Sequence, residues 1–390
     1  MLANAAMVPL VPFTLATRLG WPLWLVGGYS FAVMAVTMLV NHRLSSIVDA
    51  ARRKSLLCLM CAVFQIVGAL AAIGALNGAL LLLPLTIIGT AVGGAVAPIY
   101  YTLGRLLAGA DGRSTAAVNS MLRVITSAAW VAGPAIGFAV AGSRGIAMAF
   151  FFVASVSALG AAAVLLSAKW LDEAAGLAWA ETAGKPSASS SSRFREMLPH
   201  LAAFLVVFLF SLAHIATATS LPLFLLRRFD VPESATGLFL GLKAGVEMVV
   251  ILLTPLVAKR VSSRTILTIA ASGALVAYAS YLFGQGVGWA FFAAVIEGAY
   301  YGLFAVTALS WVQSLAGMRL GQSTGFYMNG IYAGVLIGAP LSGVVASFNL
   351  GWIAALSAIA ALLALAALRL PINAGARMPA ATERTSTDEA

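Results

Sequence analysis

VAGPAIGF at residues 131–138 and IGAPLSGV at residues 337–344 carry one pattern inside two apolar runs. Aligning Pro134 with Pro340 brings Gly137 onto Gly343. A shift of nearly the same size, about 210 residues, lays PFTLATRLGWP (12–22) on PLFLLRRFDVP (222–232) without a gap. Pro12 then meets Pro222, and Pro22 meets Pro232. Proline removes a helical hydrogen bond and kinks or ends the helix. Helix breakers that recur at a constant half-length offset predict two copies of one helical bundle.

Composition sets the solvent. The 390-residue chain is 61% hydrophobic and 9% charged, where a soluble domain carries about 25% charged residues. So little charge cannot solvate a surface, and lipid must cover it. Apolar runs long enough to cross a bilayer recur along the length. They predict spans near 2–17, 23–41, 55–75, 79–101, 116–141 and 146–167, and again near 200–226, 234–258, 264–284, 287–315, 321–347 and 350–369. The expected organisation is an N-terminal bundle (1–167), a cytoplasmic linker (168–199) centred on GKPSASSSS, a C-terminal bundle (200–370) and a polar, disordered tail (371–390). The fold class is an all-α membrane protein of two bundles and about 12 transmembrane helices.

Basic residues orient the chain. With both termini in the cytoplasm, most of the 23 basic residues fall on that side, among them Arg43, Arg52, Arg53, Lys54, Arg105, Arg113, Lys259, Arg260, Arg264 and Arg319. Only Arg18, Arg144, Arg227 and Arg228 fall opposite, and Arg123 and Lys243 lie inside spans. This is the positive-inside bias. It accounts for the net charge of +10 without a nucleic-acid partner, since short basic loops lie beside anionic headgroups. The first span is shorter than its partner, which begins near His200. The repeat predicts about ten further residues ahead of Met1, roughly 15 Å of helix.

Polar groups inside the spans are the functional candidates, because each is costly in hydrocarbon. Asn119, Arg123, Ser127 and Trp130 share one helical face. Such a stripe can hydrogen-bond hydroxyl groups and stack on a sugar ring, or it can specify helix packing. Lys243 and Glu247, four residues apart, are expected to touch as a self-neutralising pair. Glu297 has no basic neighbour in sequence and shares a face with Tyr300, Tyr301 and Phe304, which makes it a second candidate proton carrier. His214 and Thr217 share a face, as a relay or as packed polar groups, and Asn329 is a further candidate for substrate binding. Tyr100 and Tyr101 close the fourth span as cavity aromatics or as part of an interfacial belt. Cys58 and Cys61, one turn apart in an apolar run with no nearby histidine, read as packing residues and not as metal ligands. No GxxxxGK[ST] occurs, so the expected energy source is an ion gradient. The three histidines form no catalytic constellation, and neither an enzyme nor a cofactor is expected.

The chain resembles the major facilitator superfamily. The superfamily's loop motif is matched in part by Ser45 to Lys54, where Asp49, Arg53 and Lys54 keep their types while Ala50 and Arg52 depart. Gly133-Pro134 with Gly137 is similar to the fifth-helix Gly-Pro motif associated with antiporters, and Pro340 with Gly343 is its repeat. LRVITSAAWVAGP (122–134), GLFLGLKAGVEMVV (237–250) and STGFYMNGIYAGVLIGAPLSGVVA (323–346) resemble bacterial sugar efflux transporters, although Lys243 and Glu297 are not expected there.

The resemblance implies packing of the fifth helix against the eighth. Arg123, about 12 Å in from its span end, and Glu247, about 16 Å in, could then pair across the halves. It further implies a monomeric inner-membrane carrier that exchanges a sugar-like solute for protons. A drug exporter of the same fold is the alternative, and a transport-inactive membrane sensor is the alternative of another class.

Overall fold

In hydrocarbon every backbone N–H and C=O must be paired within the protein, and helices do this segment by segment. The computed structural model describes residues 1–51, 53–110, 115–182, 193–230, 233–315 and 320–370. Arg52, Arg113, Arg319, Pro232, most of the Ser-rich stretch and the tail after 370 lie outside them.

The first half holds α1 (Leu2–Thr17), α2 (Leu23–Ala50), α3 (Lys54–Leu76), α4 (Leu83–Gly94), α5 (Ala97–Ala110), α6 (Thr115–Arg144) and α7 (Ile146–Thr182). The second holds α8 (Arg193–Arg228), α9 (Glu233–Ala258), α10 (Ser263–Phe283), α11 (Val287–Ser314), α12 (Leu320–Phe348) and α13 (Gly351–Ala367). Among the described residues, 10 segments are long and apolar enough to cross a membrane, and the shorter apolar α1 and α13 join them. The fourth crossing is interrupted at Ala95 and Val96, where α4 ends and α5 begins. Gly93 and Gly94 precede that break, and a Cβ on either would crowd the Gln65 or Asn4 side chain. Asn4 donates to Gln65 Oε1 at 3.0 Å and to the Thr90 carbonyl at 2.9 Å, so the polar groups of α1 are satisfied inside the first bundle.

Two expectations change. Hydropathy ends the sixth span near 167 and assigns 168–199 to a linker, but α7 continues to Thr182 and α8 starts at Arg193. AKWLDEAAGLAWAET is rich in helix formers, so the helix outlasts the apolar run that marks its membrane part. Asp172 on this extension accepts hydrogen bonds from Ser55 N at 3.0 Å and Ser55 Oγ at 2.6 Å, capping the start of α3. The second change concerns the repeat. Gly133 and Gly137 let α6 approach α1 at Ala5, Ala6 and Leu10, whereas Gly343 faces open space. In the second half the close approach uses Gly330, Gly334 and Gly338, which press α12 onto Val207, Ser211, Leu212 and Ile215 of α8. Small residues at this spacing let helix backbones meet in a medium without a hydrophobic driving force.

The halves meet through α2 with α12, α6 with α9 and α11, and α5 with α12. Hydrogen bonds between described residues join them. Asp49 accepts from the backbone N–H groups of Gly321 at 2.6 Å and Gln322 at 3.0 Å, capping the first turn of α12. Asn41 donates to Asn329 Oδ1 at 2.6 Å and to the Gly325 carbonyl at 3.0 Å. Asn119 donates to Ser310 Oγ at 3.0 Å and Gln313 Oε1 at 3.2 Å, and Arg105 donates to the same Gln313 oxygen at 3.4 Å. Lys54 is buried and caps the end of α2 through the Val48 and Ala51 carbonyls, while Arg53 is exposed.

Gly325 is one of the close approaches of α12 to α2, and a Cβ there would strike the Ser45 side chain. Gly325→Leu is expected to wedge this end open. Labelling of a cysteine placed at Ser310 by a membrane-impermeant thiol reagent should rise severalfold, and unchanged labelling would contradict the account of the closure.

Candidate functional site between the halves

The site is built on one turn of α11 bounded by two glycines. Gly298 and Gly302 lie one turn apart, and a Cβ on either would collide with the backbone of Lys243 or Glu247 in α9. With nothing between the backbones, the flanking polar residues meet. Lys243 Nζ lies 2.6 Å from Glu297 Oε1, and Tyr281 OH donates to Glu297 Oε2 at 2.9 Å. Glu297 has no exposed surface. This corrects two sequence expectations: Lys243 pairs with Glu297, not with its helical neighbour Glu247, and Glu297 is not an unpaired carboxyl. The reason is depth. A lysine stem and a carboxylate on facing helices can close inside the bundle, out of lipid and water, whereas an i,i+4 pair stays on the helix surface.

Glu247 is half-buried. It lies within electrostatic range of Arg123, Lys243 and Glu297. Among the described residues, the ion pair within 4.0 Å in this region is that of Glu297 with Lys243, and His214 also contacts the Glu297 carboxylate. The expected Arg123–Glu247 pair is therefore not closed in this conformation. Arg123 turns to the second half in another way: its Nη2 donates to Tyr301 OH at 3.4 Å, and its guanidinium carbon sits 5.8 Å from the Tyr301 ring centre. The other face of Tyr301 stacks on His214, with ring centres 3.6 Å apart and planes 10° from parallel. His214 Nδ1 reaches within 3.6 Å of Glu297 Oε1. A continuous line runs from Arg123 on α6 through Tyr301 and His214 to Glu297 and Lys243. Arg123 Nε and His214 Nδ1 are both buried and make no hydrogen bond.

The other candidates separate. Ser127 and Trp130 continue the Arg123 face of α6 away from the closed end, and Trp130 is half-exposed. Asn119 and Asn329 take part in the cross-half hydrogen bonds, while Asn119 Oδ1 is buried without a partner. Tyr300 points into the second bundle, buried, with its hydroxyl on that of Tyr278. Thr217 joins α8 to α13 through Ser357 Oγ at 2.8 Å, and Phe304 stacks on Phe210. Tyr101 is buried with its hydroxyl 3.5 Å from Thr126 Oγ1, and Tyr100 is half-buried. Among the described residues no cluster of three or more His, Cys, Asp or Glu is placed to hold a metal, and Cys58 and Cys61 are buried free thiols.

A family model described as Major Facilitator Superfamily matches residues 113–328, more than half of the chain. The chain belongs to the Major Facilitator Superfamily. It is a multi-pass membrane transporter and not an enzyme. Sugar efflux transporter A of Dickeya chrysanthemi is 25% identical over 365 residues, covering 92% of this chain and 90% of that protein. Sugar efflux transporter B of Salmonella typhimurium is 24% identical over 276 residues, covering 70% and 68%. The fold is shared with a bacterial homologue of the iron transporter ferroportin in an outward-facing state, at a TM-score of 0.70 and 16% identity over 94% of this chain and 96% of that one. It is shared too with the Escherichia coli Fucose:proton symporter, at 0.66 and 14% over 94% and 96%.

Against this superfamily fold, Tyr281, Asn41, Ser310 and Gln313 are polar partners that the sequence reading passed over. The glycine pair at 298 and 302 was the available signal, since it marks the face of α11 that a neighbouring backbone must touch. Asn41 and Gln313 gave none, because a single amide in a span does not announce its partner.

Removing one member of a buried pair strands the other charge, at a cost of about 3–5 kcal/mol. Glu297→Gln and Lys243→Met are each expected to lower the thermal unfolding midpoint in detergent. The double change should cost less than the sum of the two. Additive losses would show that the pair does not act as a unit.

Proposed function

We propose that the protein is a secondary active transporter of the bacterial inner membrane that expels a sugar-like solute in exchange for protons, by alternating access between its two halves. The observation that carries this reading is the convergence of Arg123 and His214 from opposite halves on Tyr301, each with a buried nitrogen that lacks a partner. Buried polar atoms without partners are rare in native structures, and a bound hydroxyl-rich solute would supply the missing partners. Trp130 on the same face of α6 offers a ring for an apolar sugar face. The names of the relatives support the sugar class.

Glu247 is the proposed proton carrier. Ionised, its carboxylate accepts hydrogen bonds from solute hydroxyls, and it attracts Arg123. Protonated, it loses that acceptor strength and frees Arg123. Proton and solute therefore exclude each other, which is the requirement for exchange. A hydrogen bond to a charged group contributes about 1.5–3 kcal/mol, enough for a ten- to hundredfold change in solute affinity. The buried Lys243–Glu297 pair holds α9 against α11 and keeps Glu247 in place. The closed end carries Arg43, Arg53, Lys54 and Arg105, so the positive-inside bias supports a cytoplasmic closed end, cytoplasmic termini and an outward-open conformation. The protein works as a monomer with protons, the solute and the bilayer as its partners, and without a cofactor.

Everted vesicles should accumulate a labelled sugar from a panel of mono- and disaccharides when energised, and an uncoupler should abolish the accumulation. Failure of every sugar to accumulate or to alter proton flux would overturn the substrate class.

Arg123→Ala should remove transport while the protein remains in the membrane. Glu247→Gln keeps an acceptor that cannot titrate, so it should preserve sugar counterflow while making it independent of pH. The two changes should be non-additive. Wild-type pH dependence in Glu247→Gln would assign coupling elsewhere.

A further inference from the structure

The far end of the second bundle carries a cleft of about 420 Å³ whose lining includes Arg227, Arg228, Gln285, Asn349 and Gly351. It opens where the end of α8, the α10–α11 turn and the start of α13 come together. Arg227 and Arg228 are exposed. Neither has a carboxylate within ion-pair distance among the described residues. Arg228 donates to the Leu282 carbonyl, which fixes its side chain across the end of α10. Arg227 makes no hydrogen bond to the described residues. The Asn349 side-chain oxygen already caps Gly351 N at 2.8 Å, so the α13 terminus is satisfied and the positive charge of the cleft comes from the arginines.

Two facts set these arginines apart. They lie on the side of the membrane that holds almost no other basic residue, where only Arg18 and Arg144 accompany them. A cation at the end of a helix is favoured by the helix dipole, but one residue there suffices, and it needs no cleft. The rim is aromatic and apolar. Phe283, Phe348, Trp352 and Trp289 are all exposed, and Phe348 stacks on Trp352. Exposed aromatic rings at the ends of spanning helices mark the headgroup level of the bilayer.

We propose that this cleft binds the phosphate of an anionic phospholipid headgroup, with Arg227 and Arg228 as its ligands and the aromatic rim against its acyl chains. The guanidinium fork matches phosphate oxygens in pairs, and the single negative charge of the lipid phosphate offsets part of the charge of two arginines that have no carboxylate within ion-pair distance among the described residues. The site lies apart from the line of Arg123, Tyr301 and His214, and the inference does not depend on the transported solute.

The test is native mass spectrometry of the purified full chain, titrated with phosphatidylglycerol, phosphatidylcholine or soluble glycerol phosphate. Phosphatidylglycerol should be retained in preference to phosphatidylcholine. Retention should fall about fivefold in Arg227→Gln and about thirtyfold when Arg228→Gln is added. Arg227→Lys should keep part of it, and Arg144→Gln, which removes an arginine outside the cleft, should leave it unchanged. Arg227→Gln alone keeps the Arg228–Leu282 bond, so its result stands even if the double variant unfolds. Equal retention of both lipids, or equal loss in Arg144→Gln, would overturn the site. Glycerol phosphate displacing the lipid at equal concentration would assign the cleft to a soluble phosphate and overturn the lipid.

Discussion

Close approach of helix backbones at glycine is the constraint on which this molecule rests. Lipid tails are as apolar as leucine, so burying leucine between helices gains little in a bilayer, and contact has to come from backbone packing and polar pairing. Gly133 and Gly137 set α6 on α1, and Gly330, Gly334 and Gly338 set α12 on α8. Gly298 and Gly302 set α11 on α9. The last of these approaches brings Lys243 and Glu297 within hydrogen-bonding distance, where each would be stranded if the helices stood one side chain further apart. The Lys243–Glu297 pair depends on the last of these contacts, and the placement of Glu247 depends on that pair.

The polar groups divide into two kinds of work. Asp49, Asn41, Asn119, Arg105 and Gln313 join the two halves. Their bonds are individually modest and run to backbone N–H groups, a backbone carbonyl, amides and a hydroxyl. Deeper in, Glu297 is saturated by Lys243 and Tyr281, whereas Arg123 and His214 keep unsatisfied nitrogens. A saturated pair is suited to holding shape, and unsatisfied donors are suited to binding. The second bundle carries most of the site, with its stacked aromatic residues fixing Tyr301, and the first contributes α6.

The membrane class, the spans and the two-bundle repeat were legible in the chain because hydrocarbon thickness and proline spacing act on sequence directly. Arg123, His214, Glu297 and Lys243 were legible as residues of interest because a charge or an imidazole inside an apolar run is costly wherever it points. Their partners were not. The expectation that Lys243 pairs with Glu247 followed the helix, where four residues bring two side chains together, but the pair that formed joins residues 54 positions apart. The same holds for Asn119, whose place on the Arg123 face said nothing of its bonds to Ser310 and Gln313, 191 and 194 positions away.

Sequence by itself determined that this is a helical membrane protein of two halves, which residues its spans hold, and which of those are too polar to face lipid. Those properties follow from hydropathy and from local helix geometry, which act residue by residue. Tertiary structure alone decided which polar residue meets which, which of them join the two halves, and which buried polar atoms are left without a hydrogen bond. These depend on how near two backbones can come, and that distance is set by glycines on one helix facing residues of another, a relation that no single stretch of chain contains.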